Sequence, residues 1–223
     1  MNSIQEVSRL NNEGALLLSY GDQRTPLKYF KAGLQRLKEV CSCCSIPQEE
    51  SPANKVSRSK QQVSIRKALP VPLLNDPKRY YAQMVQGTAY NGELPQEYIF
   101  RHAFMFQAEG DEMTLEKQSL ASAVLMFNYG LGLHTRGEEH FDRALFLYSQ
   151  SLQLLSHVSD CAVDCAELVA AILKNQADIY YRLNDFQNVR VVLDELFLQT
   201  CNMAVRDDMF KQSLPEDTIA PSA

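Results

Sequence analysis

The stretch NNEGALLLSYGDQRTPLKYFKAGLQRL, residues 11–37, predicts two helices joined by a short turn. Apolar residues recur at helical spacing on both sides of the polar break SYGDQRT. Gly21 suits the end of the first helix. The second helix begins either at a Thr25 cap followed by Pro26 or one turn earlier with Asp22 as the cap. Because the connection is so short, the two helices are expected to pack as an antiparallel hairpin.

The same spacing returns twice along the chain, which predicts a helical repeat. The markers are Gly14, Pro26, Phe30 and Gly33 in the first unit, Gly132, Ala144, Tyr148 and Ser151 in the second, and Ala177, Val189, Leu193 and Leu196 in the third. A small residue on the first helix of a unit lets the second helix cross closely, and a bulky residue on the second helix fills the adjoining groove. Each hairpin then covers its neighbour, so the hairpins are expected to stack as a short right-handed superhelix with a concave inner surface.

These units resemble the tetratricopeptide repeat (TPR) family. The resemblance covers residues 3–38 and 118–200, with helices longer than those of the standard repeat of about 34 residues. It is carried by Gly14, Gly21-Asp22, Phe30 and Leu34, by Leu131-Gly132, Phe141, Ala144, Tyr148 and Leu152, and by Ala177, Tyr180 and Asn184-Asp185-Phe186. The layout also resembles TPR-like proteins of diatoms and related algae. The resemblance implies a mainly all-α fold of TPR-like antiparallel hairpins and a role in binding other proteins.

The sequence predicts five regions. They are a first helical hairpin at 1–40, a flexible basic insertion at 41–79, a small β/aromatic element at 80–114, long-helix hairpins at 115–202 and a disordered tail at 203–223.

The β element is expected to be a hairpin around residues 80–107, because the Asn91-Gly92 pair lies between apolar segments. The insertion has no apolar period and is interpreted as a solvated loop. The alternatives are that its basic residues dock an acidic partner, or that Ser57 or Ser59 receives phosphate.

The composition argues against several classes of function. The formal net charge of −5 does not favour nucleic-acid binding, which needs concentrated positive charge. No apolar run reaches the length of a membrane span, and the N-terminal residues do not form a signal peptide. The sequence therefore predicts a cytoplasmic protein, with the nucleus as the alternative, whose six cysteines are mostly reduced.

Two clusters of metal-ligating residue types invite a chemical interpretation. The CSCC motif at Cys41, Cys43 and Cys44 has no second paired knuckle to complete a zinc site, and Cys161 and Cys165 have the one-turn spacing of a core stripe. The stretch HTRGEEH, residues 134–140, brings two histidines and two glutamates together but lacks the HExxH spacing, so it is interpreted as a surface turn. No enzyme motif is found. The sequence predicts no catalytic residue, no cofactor and no metal.

The remaining candidate is the concave inner surface. Asn12, Asn128, Lys174 and Asn175 are the polar residues expected to line it and to contact a partner protein. The alternative is that the asparagines cap or bridge helices.

The leading functional hypothesis is a non-catalytic adaptor or scaffold that holds a partner peptide or helix in the groove. The alternative is a self-assembling subunit, in which the aromatic segment YIFRHAFMF or the apolar last helix pairs with another copy. A metal-binding or enzymatic role is the remote third reading.

Overall fold

The computed structural model describes residues 3–43, 63–67, 100–108, 114–156, 158 and 163–212. These residues form six α-helices and two β-strands. The helices are α1 (Ser3–Ser19), α2 (Thr25–Cys43), α3 (Leu115–His134), α4 (Phe141–Leu155), α5 (Val163–Arg182) and α6 (Phe186–Gln212), and the strands are β1 (Val63–Lys67) and β2 (Phe104–Ala108).

The helices pack as three consecutive hairpins: α1 on α2, α3 on α4, and α5 on α6. Contacts of α2 with α3 and of α4 with α5 join each hairpin to the next. The prediction of a mainly helical protein with antiparallel neighbours is confirmed at this level. Among the described residues, no helix is both long enough and apolar enough to span a membrane.

The helix ends follow from local hydrogen bonds. After α1, the Asp22 N–H donates to the Leu17 carbonyl and the Gly21 N–H to the Leu18 carbonyl, with Gly21 at a φ of 86°. This is a Schellman cap, and it requires a residue that tolerates positive φ. For α2, the Asp22 carboxylate accepts from the N–H groups of Arg24 and Thr25, so Asp22 rather than Thr25 is the capping acceptor. Its hydrogen bonds to Thr25 and Arg24 lower the pKa of Asp22.

Close helix crossing depends on glycines, as the sequence indicated, but with a different register in the second hairpin. A Cβ at Gly14 would lie 2.6 Å from the Phe30 ring, which confirms that pair. In the second hairpin, it is Gly130 whose added Cβ would meet the Tyr148 ring, at 2.9 Å, whereas Gly132 faces Leu27 of α2. The assignment of Gly132 as the partner of Tyr148 was therefore wrong. The connection through the 3-10 turn Glu138–His140 lengthens the spacing, so a fixed interval selects the wrong glycine.

The β element also differs from the prediction. Strand β2 pairs antiparallel with β1, with Ile65 opposite Phe106 and Lys67 opposite Phe104. Its partner therefore comes from the segment 41–79 that was expected to be flexible, not from a hairpin within 80–107. The prediction of flexibility was wrong for residues 63–67, and the Asn91-Gly92 pair lies outside the described residues.

At the other end of the chain, α6 continues through Gln212. It therefore extends into the region 203–223 that was expected to be a disordered tail, and the later residues lie outside the described part.

The core lies between the hairpins and the residues around β2. Its largest fully buried side chains are aromatic and come from both parts: Phe30, Phe127, Phe141, Tyr148, Phe100, Phe104 and Phe106. The β2 region is thus packed inside the helical array.

Candidate functional site

Three asparagines hold equivalent positions on the first helices of the three hairpins. Each lies two residues before a small residue, in the triplets NEG (12–14), NYG (128–130) and NQA (175–177). The corrected register of the second hairpin brings Asn128 into line with the other two. Together with Asn11, which precedes Asn12 on α1, they form what we call the asparagine ladder.

The ladder contacts residues 100–107 of the same chain, which we call the bound segment; from Phe104 onward this segment is strand β2. At its first residue, Asn175 of α5 makes a pair of hydrogen bonds with the backbone. The Phe100 N–H donates to Asn175 Oδ1 at 2.7 Å, and Asn175 Nδ2 donates to the Phe100 carbonyl at 3.2 Å. A single side chain therefore satisfies both backbone groups of this residue.

Asn128 of α3 repeats the arrangement at Phe104. The Phe104 N–H donates to Asn128 Oδ1 at 2.8 Å, and Asn128 Nδ2 donates to the Phe104 carbonyl at 2.7 Å. Asn11 supplies a second donor to that carbonyl, at 2.9 Å, and accepts from Asn128 Nδ2 at 2.8 Å. The side chains of Asn11 and Asn128 are therefore hydrogen-bonded to each other, and both are hydrogen-bonded to the backbone of Phe104.

Asn12 of α1 holds Phe106 in the same way. The Phe106 N–H donates to Asn12 Oδ1 and Asn12 Nδ2 donates to the Phe106 carbonyl, both at 3.0 Å. Ser8 Oγ also donates to that carbonyl, at 2.5 Å. The bound segment therefore runs from the third hairpin through the second to the first.

These hydrogen bonds favour an extended backbone. They do not depend on the identity of its side chains, because they involve only backbone N–H and C=O groups. A carboxamide carries one acceptor oxygen and a donor NH₂ group, which match the N–H and C=O of one extended residue. A helix uses those groups in its own i to i−4 bonds, so its interior could not engage the ladder. The ladder is thus suited to an extended chain.

The opposite edge of the bound segment is covered by β1 from Phe104 onward. Alternate residues of a strand direct their N–H and C=O groups to opposite edges. Phe104 and Phe106 face the asparagines, so Met105 and Gln107 face their partners Arg66 and Ser64 in β1. The strand is consequently held on both edges, by side-chain amides on one and by a strand on the other.

The side chains of the bound segment divide into buried and exposed sets. Phe100, Phe104 and Phe106 are almost fully buried, and Ala103 is 1% exposed. The Phe100 and Phe104 rings stack with centroids 5.5 Å apart, and Phe127 of α3 meets the Phe104 ring edge-on at 5.3 Å. Arg101 and Gln107 are exposed. The buried residues of the segment follow the pattern aromatic-x-x-Ala-aromatic-x-aromatic.

A buried polar chain supports the ladder at Asn175. Asn175 Nδ2 donates to the Tyr148 hydroxyl at 3.2 Å, and that hydroxyl lies 3.4 Å from His134 Nδ1. His134 Nε2 is 3.0 Å from Asp178 Oδ2, which also accepts from Arg182 Nε at 2.8 Å. The Tyr148 hydroxyl therefore lies between the Asn175 amide and the His134 ring, and the ring lies between Tyr148 and Asp178.

This network corrects the interpretation of HTRGEEH as a surface turn at His134 alone, since residues 135–140 do form the turn between α3 and α4. His134 ends α3 and is 2% exposed, so it belongs to the core, whereas Glu138 and Glu139 are exposed. Burial raises the pKa of Tyr148 far above its ordinary value, so its hydroxyl remains a hydrogen-bond donor.

Of the four predicted groove residues, Asn12, Asn128 and Asn175 meet on the bound segment. Lys174 is next to Asn175 in sequence, and it is Asn175 that engages both backbone groups of Phe100. Lys174 is partly buried, and desolvation lowers its pKa. Whether any of the four contacts a partner protein stays a prediction.

The sequence reasoning missed Asn11, Ser8 and the pair His134 and Asp178. A signal for Asn11 and Ser8 was present, since both fall within the helical stripe of Ile4, Val7 and Ala15, which is apolar and buried. A polar residue in such a stripe needs a buried hydrogen-bond partner. Nothing local in the sequence connects His134 with a residue 44 positions later.

Metal-ligating residues do not converge in the described part of the chain, where no group of three or more His, Cys, Asp or Glu side chains could hold an ion. Cys165 is buried in α5. The side chains of the CSCC motif and Cys161 lie outside the described residues.

Comparison of the chain with family models, with curated proteins and with solved structures found no match.

Proposed function

We propose that this protein is a non-catalytic interaction module whose three hairpins are TPR-like and stack as a short superhelix, and whose inner groove binds an extended peptide of a partner protein. The observation that carries the proposal is the asparagine ladder. Three first helices present an amide at equivalent positions, and each amide engages one residue of extended backbone through both its N–H and its C=O.

The backbone contacts of the ladder favour an extended peptide over a helix as the partner that occupies the groove. The bidentate contacts need free backbone N–H and C=O groups, which only an extended chain offers at successive positions. The edge of β1 adds strand pairing, a second mode that depends on the backbone. Affinity would come from these bonds, and specificity from the pockets that hold the aromatic rings.

The ladder is occupied by the chain's own residues, so the test needs a variant with a weakened bound segment. We define the release variant as Phe104→Ala with Phe106→Ala. Both rings are buried, and their loss weakens the segment while leaving every asparagine in place. The matched control is Arg101→Ala with Gln107→Ala, two exposed positions of the same segment.

The experiment is selection of a displayed random peptide library on the full-length release variant. The proposal expects enriched peptides that bind the release variant and lose binding when Asn128→Ala is added to it, while circular dichroism shows that the helices persist. Absence of enriched peptides, or binding that ignores Asn128, would refute the groove as a peptide site.

Self-assembly is a second candidate, favoured by a different observation. Several large apolar side chains of α6 are more than half exposed: Phe186, Val191, Phe197 and Leu198. Such an exposed apolar surface is typical of a face that packs against another helix or another copy of the chain. Light scattering across a concentration series tests it, since a mass equal to one chain at every concentration would exclude self-assembly.

A further inference from the structure

We propose that the bound segment is an internal pseudo-ligand, and that the partner of the groove is an extended peptide with the same pattern of side chains. That pattern is a large aromatic residue at positions 0, +4 and +6 and a small residue at +3. The inference rests on the proposed function and adds the chemistry of the partner and the competition that controls its access.

The aromatic spacing follows from where the ladder holds the backbone. The asparagines fix the residues at 100, 104 and 106, and each of these residues carries a phenylalanine with a relative exposure of 2% or less. The backbone contact and the aromatic pocket therefore coincide at the same three positions. A peptide in the correct register satisfies both together, and a shift of one residue loses both.

The small residue at +3 follows from the burial of Ala103. Its side chain is 1% exposed and lies one position before the ring of Phe104. A larger residue at this position would have to displace packed neighbours. By contrast, Arg101 and Gln107 are exposed, so the corresponding peptide positions tolerate any residue.

The direction of the peptide is also fixed. The bound segment has its N-terminal residue at α5 and its later residues at α3 and α1. On the other edge, β1 pairs antiparallel with the bound segment, so this pairing also depends on the direction of the segment. A partner peptide entering in the opposite direction would meet β1 in parallel.

Covalent attachment makes the bound segment a strong competitor. A tethered segment acts at an effective concentration of about 1 mM. A free peptide of equal intrinsic affinity at 10 μM is therefore outcompeted about 100-fold. Binding of a partner then requires either a better-matching sequence or a change that weakens the bound segment, which gives the module an autoinhibited state.

The test uses a fluorescent peptide with the sequence of residues 100–108, FRHAFMFQA, and full-length protein. We expect the release variant to bind it at least about 100-fold more tightly than the wild-type protein or the Arg101→Ala, Gln107→Ala control. Peptide versions with alanine at the second and third phenylalanines, or with tryptophan in place of the central alanine, should each bind at least about 10-fold more weakly.

Equal binding of the altered peptides would overturn the pattern. If the library selection still enriches Asn128-dependent peptides of another pattern, the proposed function survives and only this inference fails. If neither experiment finds a peptide, both fail. A concentration-dependent dimer that the peptide dissociates would show that the occupant is a second copy of the chain and would also contradict the inference.

A further measurement covers the case in which the release variant does not fold. Excess FRHAFMFQA peptide should accelerate amide hydrogen exchange in residues 100–107 of the wild-type protein, because it competes for the same ladder. A scrambled peptide should have no effect. If millimolar peptide leaves the rate of amide hydrogen exchange unchanged, a free peptide cannot displace the bound segment, and the inference is contradicted.

Discussion

The asparagine ladder and the exposed side chains of α6 reverse the usual relation between polarity and burial. Asn128 and Asn175 are completely buried, whereas Phe197 and Leu198 are 68% and 56% exposed. The buried amides are stable there because each donor and acceptor has a partner, several of them on one extended backbone. Among these residues, the buried polar side chains are therefore the ones that make directed contacts with the bound segment.

The largest expected effect is that of Asn128→Ala. It leaves the Phe104 N–H and Asn11 Oδ1 buried without their partner, and each such group costs about 1–3 kcal/mol. We expect the free energy of unfolding in urea to fall by about 3 kcal/mol. The exposed Gln187→Ala on α6 serves as the control and should change it by less than about 0.5 kcal/mol. An equal loss of unfolding free energy in the two variants would show that the asparagine ladder contributes no more to stability than the exposed surface of α6.

Tyr148→Phe should cost less, about 2 kcal/mol, because it removes one hydroxyl from the network behind Asn175. His134 Nδ1 and one N–H of Asn175 then lose a buried partner. Chemical unfolding at pH 7 measures the loss. A cost near zero would show that the network does not support the ladder.

The same tyrosine predicts a dependence on pH. Burial raises the pKa of Tyr148 above the value of about 10 that an unfolded tyrosine has. Above pH 10 the unfolded chain loses this proton and the folded chain keeps it, so stability is present below pH 10 and falls as the pH rises. Relative to Tyr148→Phe, the wild-type free energy of unfolding should decrease by up to about 1.4 kcal/mol per pH unit above pH 10. Parallel profiles for the two proteins would contradict the burial of the hydroxyl.

Gly130→Ala should destabilise by about 1 kcal/mol. The new Cβ would lie 2.9 Å from the Tyr148 ring, and this overpacking exceeds the gain in helix propensity. Gly132→Ala is the comparison, because it meets only the end of the flexible Leu27 side chain. A larger thermal destabilisation by Gly132→Ala would indicate that Gly132, not Gly130, is the glycine on which the close crossing of α3 and α4 depends.

The smallest effect on stability is expected for the exposed apolar residues of α6. Phe197→Gln replaces an exposed ring and should change the free energy of unfolding by less than about 0.5 kcal/mol. Light scattering on the same variant tests self-assembly separately. A large loss of stability would show that this face is already covered within the folded protein.

Local sequence patterns predicted the helices and singled out three asparagines of the ladder, because both depend on short-range signals; contact of these asparagines with a partner protein stays a prediction. Helical apolar spacing identified the hairpins. Equivalent positions on repeated helices identified Asn12 and Asn175, and Asn128 was also named although the assumed register placed Gly130 at its position.

The occupant of the groove could not be predicted, because contacts between distant residues decide it. Phe106 meets Asn12 across 94 positions and Phe100 meets Asn175 across 75. The aromatic run YIFRHAFMF was correctly associated with strand structure at Phe104 and Phe106. Its assignment to a local hairpin failed because β1 lies earlier in the chain, in a segment without an apolar period.

Amide hydrogen exchange by NMR reports, residue by residue, how firmly the asparagines hold the backbone of the bound segment. It compares Phe104, Met105 and Phe106 in the wild-type protein, in Asn128→Ala and in Asn12→Ala. The account predicts that Asn128→Ala accelerates exchange at Phe104 most strongly, that Asn12→Ala does so at Phe106, and that Met105, which faces β1, changes least. Uniform acceleration at all three amides, or none, would contradict residue-by-residue holding of the backbone by the asparagine ladder.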